Sequence, residues 1–150
     1  MILWYILITL GTFLLMEGVT WFTHKYIMHG FLWYLHKDHH QPTKSALEKN
    51  DAFFIIFATP SILLFYFGTL PTINYKFFIG LGILLYGLAY FLIHDVLIHK
   101  RFNWFNTTKS KYFNGLKRGH RMHHKHINKE KGECFGMLYV ASKYFKTKRL

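Results

Sequence analysis

The sequence predicts an all-α protein: an integral membrane bundle of about three transmembrane helices that extends into a cytoplasmic, histidine-rich, metal-binding cap. Three observations predict this fold: long apolar blocks, basic residues gathered on one side of those blocks, and eleven histidines confined to two regions. Hydrophobic residues make up 51% of the 150-residue chain, and we expect a single membrane-embedded domain over residues 1–150.

Three apolar blocks are long enough to cross a bilayer. Met1–Thr23 carries one ionisable side chain, Glu17, whereas Ala52–Leu70 and Phe77–Ile93 carry none. As helices they would measure roughly 34, 28 and 26 Å, against a bilayer core of about 30 Å. Buried helices of a soluble protein are the alternative, but three blocks of this length favour membrane spans.

The basic residues are distributed unevenly around these blocks. Of 19 Lys and Arg, only Lys76 lies in the connector Pro71–Lys76, which should join the second and third blocks as a hairpin. The others lie in Lys25–Lys49 and Lys100–Arg149, and by the positive-inside rule that side is cytoplasmic. We therefore expect a multi-pass cell (inner) membrane protein whose net charge of +12 reflects topology and lipid contact, with no need for nucleic acid.

Two pairs of glycines, each pair seven residues apart, could let helices approach closely. The pairs are Gly11 with Gly18 and Gly80 with Gly87. Small residues at such spacing are typical of helix contacts in membranes.

The histidines form one pattern that occurs twice. In the first region, His24 and His29 form an HxxxxH, followed by an HxxHH. In the second region an HxxxxH and an HxxHH follow one another in the same order. The HxxHH sets are His36, His39 and His40, and His120, His123 and His124, and the second HxxxxH is His94 and His99. His126 is left over.

On a helix the HxxHH residues share one face, but adjacent histidines diverge. His39 and His40 could therefore reach two metal ions rather than one, as could His123 and His124. HxxxxH places its pair roughly 140° apart on an ideal α-helix, which is poor for a single ion. It suits two ions side by side, or a helix that ends between the pair, and Gly30 is a plausible helix stop.

Ten histidines are too many for one ion and suit two. Neutral imidazole binds iron, zinc, copper and nickel, and the single cysteine, Cys134, excludes a cysteine-ligated cluster. A zinc transporter or metal store is the alternative. Against it, no span carries a histidine or aspartate near its middle, so the ions should sit at the cytoplasmic rim.

Three carboxylates are candidates for supporting the imidazoles. Asp38 lies inside the first HxxHH and Asp95 follows His94, so each could orient an imidazole and offset metal charge. Glu17 lies near membrane depth on roughly the face of His24, which suggests a supporting or proton-handling role, with snorkelling to the interface as the alternative.

Two redox-capable ions at the edge of a bilayer suit oxygen activation on an apolar substrate. Such a substrate could enter between helices along aromatic side chains, whose alternative role is an interfacial belt. These side chains are Trp21, Phe22, Phe31, Trp33 and Phe91.

Several stretches resemble a known family. The histidine sets are similar to those of the membrane fatty acid hydroxylase superfamily. "HKYIMHGFLWYLHKDHHQP", "LEKNDAFF", "FLIHDVLIHKRF", "GHRMHHKH" and "ECFGMLYV" resemble the bacterial and plant β-carotene 3-hydroxylases more closely, over about residues 24–140.

This resemblance implies a non-haem di-iron, O2-dependent monooxygenase. It would hydroxylate β-carotene at C3 and C3′, through β-cryptoxanthin to zeaxanthin, with electrons from ferredoxin or a similar donor. The ten histidines of the HxxxxH and HxxHH sets would bind two iron ions, for which zinc could substitute in a crystal. Lysines and arginines in Lys109–Arg118 could dock an acidic ferredoxin, although lipid contact accounts for them equally well.

The nearest alternative is a fatty acid or sterol hydroxylase of the same superfamily. A non-enzymatic metal-binding or transport protein is the alternative of a different class. Neither the oligomeric state nor the range of accepted substrates follows from the sequence.

Overall fold

The structure, a computed structural model, describes residues 1–41, 47–105, 107–127 and 130–146. These residues form helices and loops, with no strand among them, which confirms the all-α prediction. The α-helices are α1 (Ile2–Phe22), α2 (Trp33–His40), α3 (Ala52–Gly68), α4 (Tyr75–Tyr90) and α5 (Lys111–Lys125). Two π-helical segments, Thr23–Phe31 and Phe91–Ile98, continue α1 and α4, and 3₁₀ turns lie at Lys49–Asp51 and Ser142–Tyr144.

Three helical stretches are long and apolar enough to cross a membrane: Ile2–Phe31, Lys49–Gly68 and Tyr75–Ile98. Their large apolar side chains point outward, and Leu14 and Phe54 are 69% and 70% exposed. An aqueous surface would not carry so much contiguous apolar area. The prediction of three spans is confirmed, and two of the spans extend beyond the apolar blocks into histidine-bearing π-helical segments.

α3 and α4 form the expected hairpin. α3 continues through Pro60, and α4 begins after Asn74, whose side chain caps the helix by accepting the Lys76 N–H at 3.1 Å. α4 packs against both α3 and α1, so it occupies the middle of the membrane bundle.

Two glycines on α4 itself, Gly82 and Gly80, allow it to approach its neighbours closely. A Cβ at Gly82 would lie 2.6 Å from the Thr12 Cβ and 2.7 Å from the Thr9 carbonyl of α1. A Cβ at Gly80 would lie 3.0 Å from the Ser61 carbonyl of α3. Any larger residue at Gly82 would therefore force α1 and α4 apart.

The sequence-based choice of glycines was right only for Gly80. Around Gly11, Gly18 and Gly87 a Cβ would meet nothing within 4 Å, so these residues mark no close contact among the described residues. Gly82 was missed because a seven-residue spacing does not reveal which face of α4 meets α1.

The cap is built by α2, α5 and the segment 130–146. Its apolar core contains Leu116, Val140 and Tyr144, all buried, and the side chains of the second π-helical segment pack against it. The Arg118 Nε–H donates to the Tyr144 carbonyl at 2.7 Å. This core holds α5 and the C-terminal segment against the histidine-bearing ends of the spans.

Candidate metal centre

The two HxxxxH pairs lie on π-helical segments, and this changes their geometry. In a π-helix residue i bonds to residue i+5, so residues five apart lie one above the other. The His99 N–H donates to the His94 carbonyl at 2.9 Å, and the two rings are 4.5 Å apart between centroids. The rings of His24 and His29 are 5.1 Å apart. The α-helical angle used in the sequence argument was therefore wrong for these pairs.

The first π-helical segment ends as the sequence suggested. Gly30 has non-helical backbone angles, φ −112° and ψ −125°, and the chain turns there into α2. The turn brings the HxxHH on α2 back toward His24, whose Nε2 lies 3.0 Å from the Nε2 of His36.

The ten histidines of the HxxxxH and HxxHH sets form two groups. The ligand atoms of group one lie within 4.8 Å of one another, as do four of those in group two. The fifth member of group two is His94, whose Nε2 lies 3.1 Å from that of His39. Group one is His24, His29, His36, His40 and His123, and group two is His39, His94, His99, His120 and His124.

The groups are related by the repeat in the sequence, with one exchange. Each group takes the HxxxxH pair and the outer residues of the HxxHH from one half of the chain, but the middle residue of the HxxHH from the other half. His39 therefore joins group two while His40 stays in group one, and His123 joins group one while His124 stays in group two. Adjacent histidines thus reach different groups, as the sequence predicted.

The imidazoles are held neutral. Burial, together with neighbouring imidazoles, lowers the pKa of His36 to about 2, that of His39 to about 3 and that of His124 to about 4. Desolvation disfavours the charged ring, and several cations cannot share so small a volume. A neutral imidazole keeps one nitrogen lone pair free, which a metal ligand requires.

Backbone carbonyls orient three histidines of group one. His24 Nδ1–H donates to the Phe135 carbonyl at 2.9 Å, and His123 Nδ1–H donates to the Glu133 carbonyl at 3.1 Å. His29 Nδ1–H donates to the carbonyl of Ile127 at 2.7 Å.

The residue between two of these carbonyls has an unusual backbone. Cys134 has φ 60°, a left-handed conformation that costs free energy for a residue other than glycine. The carbonyls of Glu133 and Phe135, on either side of it, accept hydrogen bonds from two different histidines of group one. This local strain therefore lies where the chain must present two neighbouring carbonyls to the same group.

The stretch after the first HxxHH supplies side-chain partners. His36 Nδ1–H donates to the Asn50 Oδ1 at 2.6 Å, and His39 Nδ1–H donates to the Glu48 Oε2 at 3.2 Å. These residues were given no role from the sequence alone, because their spacing from the histidines on α2 carries no signal.

Arg101 organises the acids around group two. Its guanidinium pairs with both carboxylate oxygens of Asp51 at 2.7 and 2.9 Å, and it reaches Asp95 at 3.1 Å. Asp95 in turn accepts from His94 Nδ1–H at 3.3 Å. Lys100, with φ 57°, turns the chain so that the Arg101 N–H caps the Asp95 carbonyl at 2.9 Å. Asp95 thus contacts an imidazole, as expected for a supporting carboxylate.

The other two proposed carboxylates contact backbone. The Asp38 Oδ2 accepts the Lys49 N–H at 2.6 Å, and its Oδ1 is buried with no hydrogen-bond partner among the described residues. Glu17 accepts the N–H groups of residues 137–139 at 2.9–3.0 Å and the Tyr86 hydroxyl at 2.6 Å. Instead of an imidazole, Glu17 therefore holds the C-terminal segment whose carbonyls orient group one.

Two aromatic residues cover group one. Phe135 is 2% exposed and packs against the rings of His24, His29 and His123 at centroid distances of 5.0–5.6 Å. The ring of Trp33 lies 5.2 Å from the ring of His29. Of the five aromatic residues proposed to line a substrate path, it is the one that contacts an imidazole among the described residues. Trp21, Phe22 and Phe31 are exposed on the outside of the bundle.

The arrangement of nitrogen atoms fits a metal. Where an acceptor oxygen fixes the proton on Nδ1, the Nε2 atom carries only a lone pair. His24 and His36 are both fixed in this way, and so are His39 and His94, yet their Nε2 atoms lie 3.0 and 3.1 Å apart. Lone pairs at that distance, with no proton between them, repel each other unless a cation lies among them. The donor set therefore suits two metal ions bound by imidazole.

A membrane bundle with two histidine groups at the end of its spans is the architecture of a membrane hydroxylase. The chain belongs to the fatty acid hydroxylase family, which it matches over residues 9–147.

Within that family its similarity is to carotene hydroxylases, which confirms the resemblance seen in the sequence. It is 42% identical over 138 residues to the beta-carotene hydroxylase of Pantoea ananas, covering 92% of this chain and 78% of that protein. It is 40% identical to that of Pseudescherichia vulneris, with 89% and 76% covered. Beta-carotene 3-hydroxylase 2 of Arabidopsis thaliana is 36% identical, and the match covers 85% of this chain but 45% of the plant protein. No solved structure matches the chain.

Proposed function

We propose that this chain is a carotenoid ring hydroxylase that uses two iron ions and O2 to hydroxylate β-carotene at C3 and C3′. The observation that carries the proposal is the convergence of unprotonated Nε2 atoms at 3.0–3.2 Å in two adjacent groups, in a chain similar to carotene hydroxylases. The products would be β-cryptoxanthin and then zeaxanthin.

The ligands would be the two histidine groups, five imidazoles each. Iron held there would supply the activation of O2 that an unreactive C–H bond requires, since no side-chain acid or base can break such a bond. The protein residues do the rest: the carbonyls of Ile127, Glu133 and Phe135 fix ring orientations in group one, and Glu48 and Asp95 do so in group two. Phe135 shields the rings of His24, His29 and His123 that it contacts.

The membrane supplies the substrate and the cap meets the electron donor. An apolar carotenoid would reach the groups from the bilayer, because both π-helical segments end spans. By the positive-inside rule, the basic segments support a cytoplasmic location for the cap at a cell membrane. A ferredoxin or similar acidic protein would then deliver electrons from the cytoplasm.

The test is pigment analysis in a bacterial host that accumulates β-carotene. The host would express the parent chain, His123→Ala or His126→Ala, with a ferredoxin and its reductase. We expect zeaxanthin and β-cryptoxanthin with the parent and with His126→Ala, because His126 belongs to neither group. His123→Ala should form at least 100-fold less product, since removing a ligand from such a centre removes its chemistry.

Untouched β-carotene with the parent chain present in the membrane would contradict the carotenoid assignment. Fatty acid or sterol hydroxylation would then be measured in the same membranes. Product formation by His123→Ala at the parent level would instead contradict the role of the histidine groups.

A further inference from the structure

A cavity of about 200 Å³ opens beside group two. It is lined by three imidazoles of that group and by two cationic side chains of α5, with one apolar residue at its edge. The lining residues are Ile98, His99, Lys117, His120, Arg121 and His124. The cavity therefore borders histidines of group two and cationic side chains of α5.

The cations face the cavity because of their spacing on α5. Lys117, His120, Arg121 and His124 follow the i, i+3, i+4, i+7 pattern of one helix face. Burial and the neighbouring charges of Lys100 and Arg121 lower the pKa of Lys117, which reflects how closely positive charge is gathered here.

The acids of group two do not line this cavity. Glu48 and Asp95 contact the Nδ1 atoms of His39 and His94, neither of which borders it, and Arg101 pairs with Asp95. A divalent ion held by the neutral imidazoles of group two would add two positive charges beside Lys117 and Arg121. The side of group two that faces the cavity thus has an excess of positive charge, and the cavity has room for a small ligand.

We propose that this cavity is a binding site for a small inorganic anion, held by Lys117 and Arg121 against the metal ion of group two. Azide, a small inorganic anion, is the probe. The inference rests on the metal-binding part of the proposed function and is independent of the carotenoid assignment. The anion offsets the charge that an all-imidazole ligand set leaves uncompensated.

The experiment uses the full chain in zwitterionic detergent, loaded with cobalt(II), whose visible spectrum reports its ligands. Azide should change the cobalt spectrum in a saturable way. In K117Q/R121Q the azide concentration for half-saturation should rise at least tenfold, with the cobalt content per chain unchanged. R121K keeps the charge and should stay within threefold of the parent. K111Q, an exposed lysine on the same helix outside the cavity, is the matched control and should bind azide like the parent.

Three outcomes overturn the proposal. An unchanged spectrum in cobalt-loaded parent protein shows that no anion reaches the metal. Equal half-saturation in the parent and K117Q/R121Q shows that the two cations do not hold it. If added phosphatidylglycerol competes with azide in the parent, the cavity is a site for lipid headgroups instead. Failure to bind cobalt at all would contradict the metal centre itself, which separates the two proposals.

Discussion

Leu138 donates its backbone N–H to both carboxylate oxygens of Glu17, at 2.9 and 3.0 Å, and so ties the C-terminal segment to the first span. The neighbouring N–H groups of Met137 and Tyr139 reach the same carboxylate. Two residues before this cluster, the Phe135 carbonyl orients His24. An acid at membrane depth therefore positions an imidazole of group one through the backbone.

Replacing Glu17 with Gln should loosen this segment. The amide NH2 would face backbone donors, and charge-assisted hydrogen bonds to backbone N–H groups are among the stronger ones in proteins. We expect a loss of about 2 kcal/mol in stability and bound metal falling from two ions per chain toward one. Thermal unfolding in detergent and elemental analysis would measure both. E130Q removes an exposed acid and should change neither; an E17Q protein with two tightly bound ions would refute the positioning role.

Gly82 and Gly87 form a matched pair on α4. G82A would press a methyl group against Thr12 and the Thr9 carbonyl, which should cost about 1–3 kcal/mol by overpacking. G87A meets nothing within 4 Å and should leave the unfolding temperature unchanged or slightly raised. Thermal unfolding of both variants in one detergent gives the comparison. Equal effects would mean that α1 and α4 do not pack at Gly82.

Arg101→Lys tests the acids around group two. Lysine keeps the charge but cannot pair with both oxygens of Asp51 while reaching Asp95, so Asp95 should orient His94 less well. Loss of a hydrogen-bond partner that orients a ligand imidazole typically weakens metal binding 10- to 100-fold. We expect about tenfold for one of the two ions. Competition with a chelator measures this affinity. R118K, at an arginine that contacts the Tyr144 carbonyl instead, is the control, and two unchanged affinities in R101K would exclude the role.

Acid should destabilise the metal-free protein. The folded-state pKa values of about 2 for His36, about 3 for His39 and about 4 for His124 lie below the unfolded value of 6.5. Between these values the unfolded chain binds more protons, so stability is full above about pH 6.5 and falls as the pH drops through this window. Each such imidazole contributes at most about 1.4 kcal/mol per pH unit.

Thermal unfolding of metal-free protein at pH 7.5 and pH 5.5 checks this dependence. The unfolding temperature should be lower at pH 5.5, and bound metal should raise it and flatten the dependence, because ligation competes with protonation. An unfolding temperature independent of pH would mean that these imidazoles are exposed to water in the folded chain.

The sequence predicted the spans and the divergence of adjacent histidines because both depend on residue type and regular spacing. Apolar length alone predicts a span, and HxxHH predicts divergence of His39 from His40 on any α-helix. The HxxxxH pairs were misjudged because i+5 spacing favours one face only in a π-helix, and no local signal in the sequence distinguishes π from α.

Most of the contacts that orient the imidazoles could not be predicted from the sequence. Every residue has a backbone carbonyl, whatever its side chain. Only the path of the chain therefore shows that the carbonyls of Ile127, Glu133 and Phe135 face imidazoles. Glu48 lies nine residues from His39, a separation that predicts no contact. His94 and Asp95 are neighbours in sequence, so residue order alone suggested their contact.

The exchange of His39 and His123 between the halves has a consequence for biogenesis. A ribosome releases the first half of the chain long before α5, and until α5 docks, group one offers only four of its five imidazoles. The complete set of ligands for a metal ion is therefore assembled only after the last helix is in place. A chain in which α5 has not yet docked would bind such an ion less firmly than the finished protein.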